Sequence, residues 1–160
     1  MIIKSSRFGE ISCSQEDIIT FPRGIPAFEQ CREFVIIAPD DSAVKWLQSA
    51  SEPGLALPVT SPDAVRSDYN ARIPDDELKL LGRGENPDPS DLALLVVLTI
   101  PNGLPWEMTA NLRAPILINL STRLAVQVIA LNEEYPVRFQ VFPQNVRNKM
   151  KAESKKGGAE

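Results

Sequence analysis

The sequence predicts a mainly β, single-domain, antiparallel barrel-like fold with one or two short helices. Three observations point there. Short runs rich in Ile, Val and Phe recur along the chain between Gly, Pro, Ser and Asn turns, as in closed antiparallel sheets. A length of 160 residues suits one domain that can bury its own core without disulfide or metal staples. The composition, 43% hydrophobic and 24% charged, is that of a globular protein rather than a disordered one.

The elements follow in order. "MIIKSS", "GEISCS" and "DIITF" read as strands, with Phe8-Gly9 as the first turn. Pro22, Gly24 and Pro26 then fall too close together for a helix or a central strand, so 21 to 29 is a shaped loop. Phe21 and Phe28 make it an apolar plug for the end of a barrel. Phe34 to Ala38 is the next strand. "VKWLQSA" and "LALPVT" flank a turn at Ser51 to Gly54, and Pro58 places the second of them at an edge or a bulge.

From Asp63 to Asp91 the chain is polar, acidic and rich in Pro and Gly. One short surface helix, Pro74 to Leu81, is expected there: proline opens it, Asp75, Asp76 and Glu77 meet the positive end of its dipole, and Gly82 follows. "DLALLVVLTI" is apolar at both alternating positions and should be a central strand covered on both faces. "APILINL", "LAVQVIAL" and "YPVRFQVF" complete the antiparallel series. Residues 143–160 lose the apolar period and gain lysine, which predicts a frayed helix or a disordered tail beyond a domain of residues 1–142.

The chain contains no histidine, which removes the commonest general base and the usual metal ligand. Cys13 and Cys31 are too far apart for a CxxC pair and read as free thiols; no metal site, cofactor site or catalytic set is expected. Asp40-Asp41, Asp75-Asp76-Glu77 and Asp88 with Asp91 sit in solvated turn and helix-start contexts, unlike the paired carboxylates of acid/base catalysis. A net charge of -4 argues against direct binding to a nucleic-acid backbone. The absence of a signal-like start and of a long apolar run leads us to expect a cytoplasmic protein without membrane association. Around Tyr69 and Asn70 the acidic stretch is a candidate surface for a basic partner. Thr109, Asn111 and Pro115 read as a turn that leads into a strand.

Taken together, "FPRGIPAFE" (21–29), "WLQS" (46–49), "LPVTSPD" (57–63), "TANLRAPILIN" (109–119), "QVIAL" (127–131) and "YPVR" (135–138) resemble the flagellar assembly factor FliW family. Each motif alone is weak, but their order and spacing are specific from near Met1 to about Phe142. The resemblance implies a non-enzymatic, cofactor-free cytoplasmic β-barrel that binds two proteins, flagellin and the RNA-binding translational repressor CsrA. It implies antagonism of CsrA that ends when unsecreted flagellin captures the factor. Phe21, Gly24, Pro26, Phe28, Thr109, Asn111, Leu112 and Pro115 carry the signature and are expected to shape the barrel. Tyr69, Asn70, Asp75, Asp76 and Glu77 are the expected CsrA surface, on a monomer. The competing expectation is a barrel that binds a small molecule beneath a lid at Pro22 to Phe28.

Overall fold

The computed structural model describes residues 1–82 and 84–158. The chain opens with a hairpin, β1 (Ile2–Ser5) and β2 (Gly9–Ser12), turned at Gly9 with φ of 75°. The strands β3 (Ile19–Thr20), β4 (Glu33–Ile37), β5 (Lys45–Ser49) and β6 (Ala56–Thr60) follow as an antiparallel meander. Next come helix α1 (Asp75–Leu81), the long strand β7 (Leu92–Thr99) and the two-residue β8 (Thr109–Ala110). The strands β9 (Ile116–Asn119), β10 (Leu124–Gln127) and β11 (Phe139–Gln140) precede helix α2 (Gln144–Gly158).

Seven strands close a barrel in the order β3-β4-β5-β6-β7-β9-β10, with β10 returning to β3. An odd number of strands cannot alternate direction all the way round, so one seam must be parallel. That seam is β10 with β3, held at Leu124 opposite Thr20, where the Thr20 N–H donates to the Arg123 carbonyl at 2.9 Å. The expectation of a purely antiparallel sheet is corrected at this one pairing. Beyond the barrel, the far end of β7 pairs with β8, and β8 with β11.

β7 is the central strand that its apolar pattern predicts. Leu95 and Val97 pack on the barrel interior of Ile19, Phe21, Phe34, Leu47, Val59, Ile116 and Ile118. Leu92 and Leu94 face an outer layer with Leu81, Leu117 and Val126, and Val96 and Leu98 belong to a further cluster with Leu112 and Tyr135. One strand thus serves three apolar layers, which is why neither alternating face is polar.

Helix α1 follows its sequence punctuation, with Pro74 before it and Gly82 after. Its last turn is tied to the barrel: the Leu81 carbonyl accepts from Asn119 Nδ2 at 2.9 Å and Thr122 Oγ1 at 3.1 Å. A carbonyl left without an intrahelical partner is thereby satisfied.

Three expectations change. Pro58 lies within a strand paired on both sides, but β6 meets β7 only at Val59 and Thr60, so one flank at Pro58 is unpaired and the missing donor costs no bond. The strand expected over 124–131 ends at Gln127, because Pro115 opposite has no N–H and the Asn111 side chain already takes those of Arg113 and Ala114. "YPVRFQVF" contributes only Phe139–Gln140, matching the two residues of β8. Of the two readings of the tail, the helix is the one that forms, over Gln144–Gly158, anchored where Arg147 pairs with Glu107 at 3.5 Å.

Candidate partner-binding surface

The two signature loops are built by backbone constraints. Gly24 is buried with φ of 68°, and a Cβ there would lie 2.5 Å from the backbone of Glu29. Only glycine fits that close approach. The loop plugs the barrel with Phe21, 0% exposed, and with Ile25, whereas Phe28 is 43% exposed. The expectation that Phe28 shares in the plug is therefore corrected: the Phe28 N–H donates to the Ile25 carbonyl, a tight turn that sends the two side chains apart. Pro26 is exposed on the same rim.

In the second signature, Thr109 sits in β8 opposite Thr99 and Gln140. Asn111 Oδ1 accepts from the Arg113 and Ala114 N–H groups at 3.2 and 3.0 Å, a side-chain-closed turn. Leu112 and Pro115 are buried. These residues have structural work to do.

Of the acidic segment, Asp75 and Asp76 are exposed on the first turn of α1, and Glu77 is half-buried in an ion pair with Arg23 of the first loop. Tyr69 and Asn70 lie apart from that helix turn in their bonding and clamp the chain instead. The Tyr69 hydroxyl donates to the Leu112 carbonyl at 2.8 Å, and its ring stacks on Tyr135 with centroids 4.8 Å apart. The Asn70 N–H donates to the Tyr135 hydroxyl, and its carbonyl accepts from Asn132. Burial, and then the neighbouring Tyr135, push the Tyr69 phenol up to about 12. The acidic segment is thus fastened to both signature loops.

The shifted carboxylates all move down. Asp17 and Asp88 accept backbone N–H groups of Ser14 and Ser90, Asp68 accepts from the Arg66 side chain, and Glu134 accepts a backbone N–H. Each is held as the anion, the opposite of a carboxyl poised to donate a proton. Among the described residues no cluster of three metal-ligating side chains occurs. Cys13 and Cys31 are half-buried free thiols.

Two surface grooves stand out. One, of about 630 Å³, runs between Arg7, which lies 4.1 Å over the Trp46 ring, and the 98–105 stretch. The other, of about 370 Å³, separates the 23–29 loop from α1 and is floored by Val126 to Ile129. Sequence reasoning missed this second groove and the role of Arg23. The one available signal was the proline-rich spacing that makes the loop rigid, which says nothing about what lies beneath it.

A family profile described as FliW protein matches residues 2–141. The chain belongs to the FliW family. It is 37% identical to the flagellar assembly factor FliW of Pseudothermotoga lettingae over 159 residues, covering 99% of this chain and all of the relative. The flagellar assembly factor FliW of Leptospira interrogans is 39% identical, covering 88% of this chain and 92% of its own. A crystal structure of the flagellar assembly factor FliW superposes with a TM-score of 0.80 at 33% identity, covering 90% of this chain and 99% of that one. No helix among the described residues is long and apolar enough to cross a membrane.

Proposed function

We propose that this protein is a non-enzymatic regulator that binds flagellin and antagonises a CsrA-type translational repressor in the cytoplasm, coupling flagellin translation to flagellum assembly. Membership of the FliW family across nearly the whole chain is the observation that carries the reading. The protein needs no cofactor and touches no RNA itself. An RNA-binding repressor carries an excess of Lys and Arg, and the exposed Asp75 and Asp76 of an acidic protein suit such a partner. Carboxylates docked beside its RNA surface also repel phosphate. The barrel interior packed with Phe21, Phe34, Leu47, Ile116 and Ile118 leaves the rival small-molecule reading without support.

Calorimetric titration with the CsrA-type repressor of the same organism tests the proposal, repeated after saturation with flagellin. Binding that flagellin abolishes is the expected result. Binding of neither protein would refute it.

A further inference from the structure

The groove between the 23–29 loop and α1 contains an interrupted strand edge. On one side, β10 pairs with β9, and the Val128 and Ala130 N–H groups go on donating to the Pro115 and Arg113 carbonyls. Alternation therefore turns the backbone groups of Gln127 and Ile129 the other way. That second edge is closed at both ends, by Thr20 beside Leu124 and by Arg72, whose carbonyl accepts from the Leu131 N–H. Between those ends, among the described residues, neither the Gln127 nor the Ile129 backbone makes a hydrogen bond on that side. The open window is about 10 Å long at ~3.3 Å per residue.

The surroundings specify an occupant. Ile129 is 68% exposed at the window, and the exposed Pro26 lines the groove from the facing loop. Charged side chains lining the groove are Arg23, Glu29 and Glu77, with Arg23 already engaged by Glu77. Asp75 and Asp76 extend the acid excess along α1, against Arg72 just before it and Lys79 in its last turn.

We infer that this edge takes a short extended segment of a partner protein, apolar at alternate positions and with Lys or Arg beside them, by adding it as a strand at Gln127 and Ile129. Main-chain bonds to the open edge supply affinity, Ile129 and Pro26 receive the apolar side chains, and the acidic rim sets direction. The inference rests on the reading above that the protein works by binding other proteins.

Hydrogen exchange resolved to single amides tests it, on the full chain alone and saturated in turn with flagellin and with the CsrA-type repressor. The Gln127 and Ile129 amides should exchange freely in the protein alone and slow at least about tenfold with one of the two partners. Ile129→Lys, which keeps the fold and the N–H, should weaken that partner by about tenfold, while Val137→Lys at another exposed apolar position should not. Gln127→Pro removes the donor itself; should it fail to fold, Ile129→Lys and the exchange data still decide. Both partners binding with neither amide slowed would overturn the strand-addition inference alone. Binding of neither would overturn it together with the proposed function. Slowing that depends only on the protein's own concentration would assign the edge to a second copy and overturn it as well.

Discussion

Replacing Gly24 by alanine should destabilise the protein through two separable effects. The backbone at this residue has φ of 68°, where an L side chain costs about 1–2 kcal/mol. The added Cβ would also lie 2.5 Å from both the Cα and the carbonyl oxygen of Glu29. Those are backbone atoms in a loop whose Phe21 and Ile25 are locked in the barrel core, so the clash cannot be relieved by rotating a side chain. Overpacking of that kind adds about 1–3 kcal/mol. The total, about 2–5 kcal/mol, corresponds to a melting temperature lowered by roughly 4–20 °C at about 2–4 °C per kcal/mol for a chain of this size. Gly9→Ala is the matched control: its φ is 75°, and nothing lies within 4 Å of the added Cβ. Calorimetric melting of both variants should show a loss at least about twice as large for Gly24→Ala. Equal losses would refute the close-approach reasoning and leave only the conformational cost.

Further outcomes can be checked with similar economy. Asn119→Ala should cost about 1–3 kcal/mol in urea unfolding, because the buried amide serves the Leu81 carbonyl and the Ser121 N–H together. Tyr69→Phe keeps the stack on Tyr135 but loses the bond to Leu112, so a destabilisation of about 1 kcal/mol at neutral pH is expected. The same phenol has a folded pKa of about 12, above its ordinary value of 10.0. Its contribution is complete below pH 10 and lost as pH rises from there through 12, and ultraviolet titration and alkaline melting of Tyr69→Phe against the parent should show that step disappear. Reversing Asp75 and Asp76 to lysine should weaken binding of the CsrA-type repressor by about tenfold and reduce its salt dependence in calorimetry, with the fold unchanged. An affinity that does not move would remove those two side chains from the proposed surface.

Much of this architecture is legible residue by residue because its causes are local. Apolar residues at both alternating positions placed β7 at the centre. Proline and glycine with an acidic first turn bounded α1 to within a residue. The Asn111 turn follows from a side chain that reaches only its own neighbours. What failed depends on which distant segments meet. Nothing in "FPRGIPAFE" distinguishes Phe21 from Phe28, yet a single turn puts one in the core and the other in solvent.

The sequence by itself determined the fold class, the absence of histidine chemistry, the acidic helix and the family, since these rest on composition, periodicity and ordered motifs. Only the tertiary structure decided the parallel seam at Leu124 and Thr20, the Arg23–Glu77 pair and the open edge at Gln127 and Ile129. Barrel closure is a property of the whole set of strands. Where an odd-stranded barrel closes on a two-residue β3, the strand beside it runs past its neighbour, and its hydrogen-bonding groups are left facing a groove that no local pattern encodes.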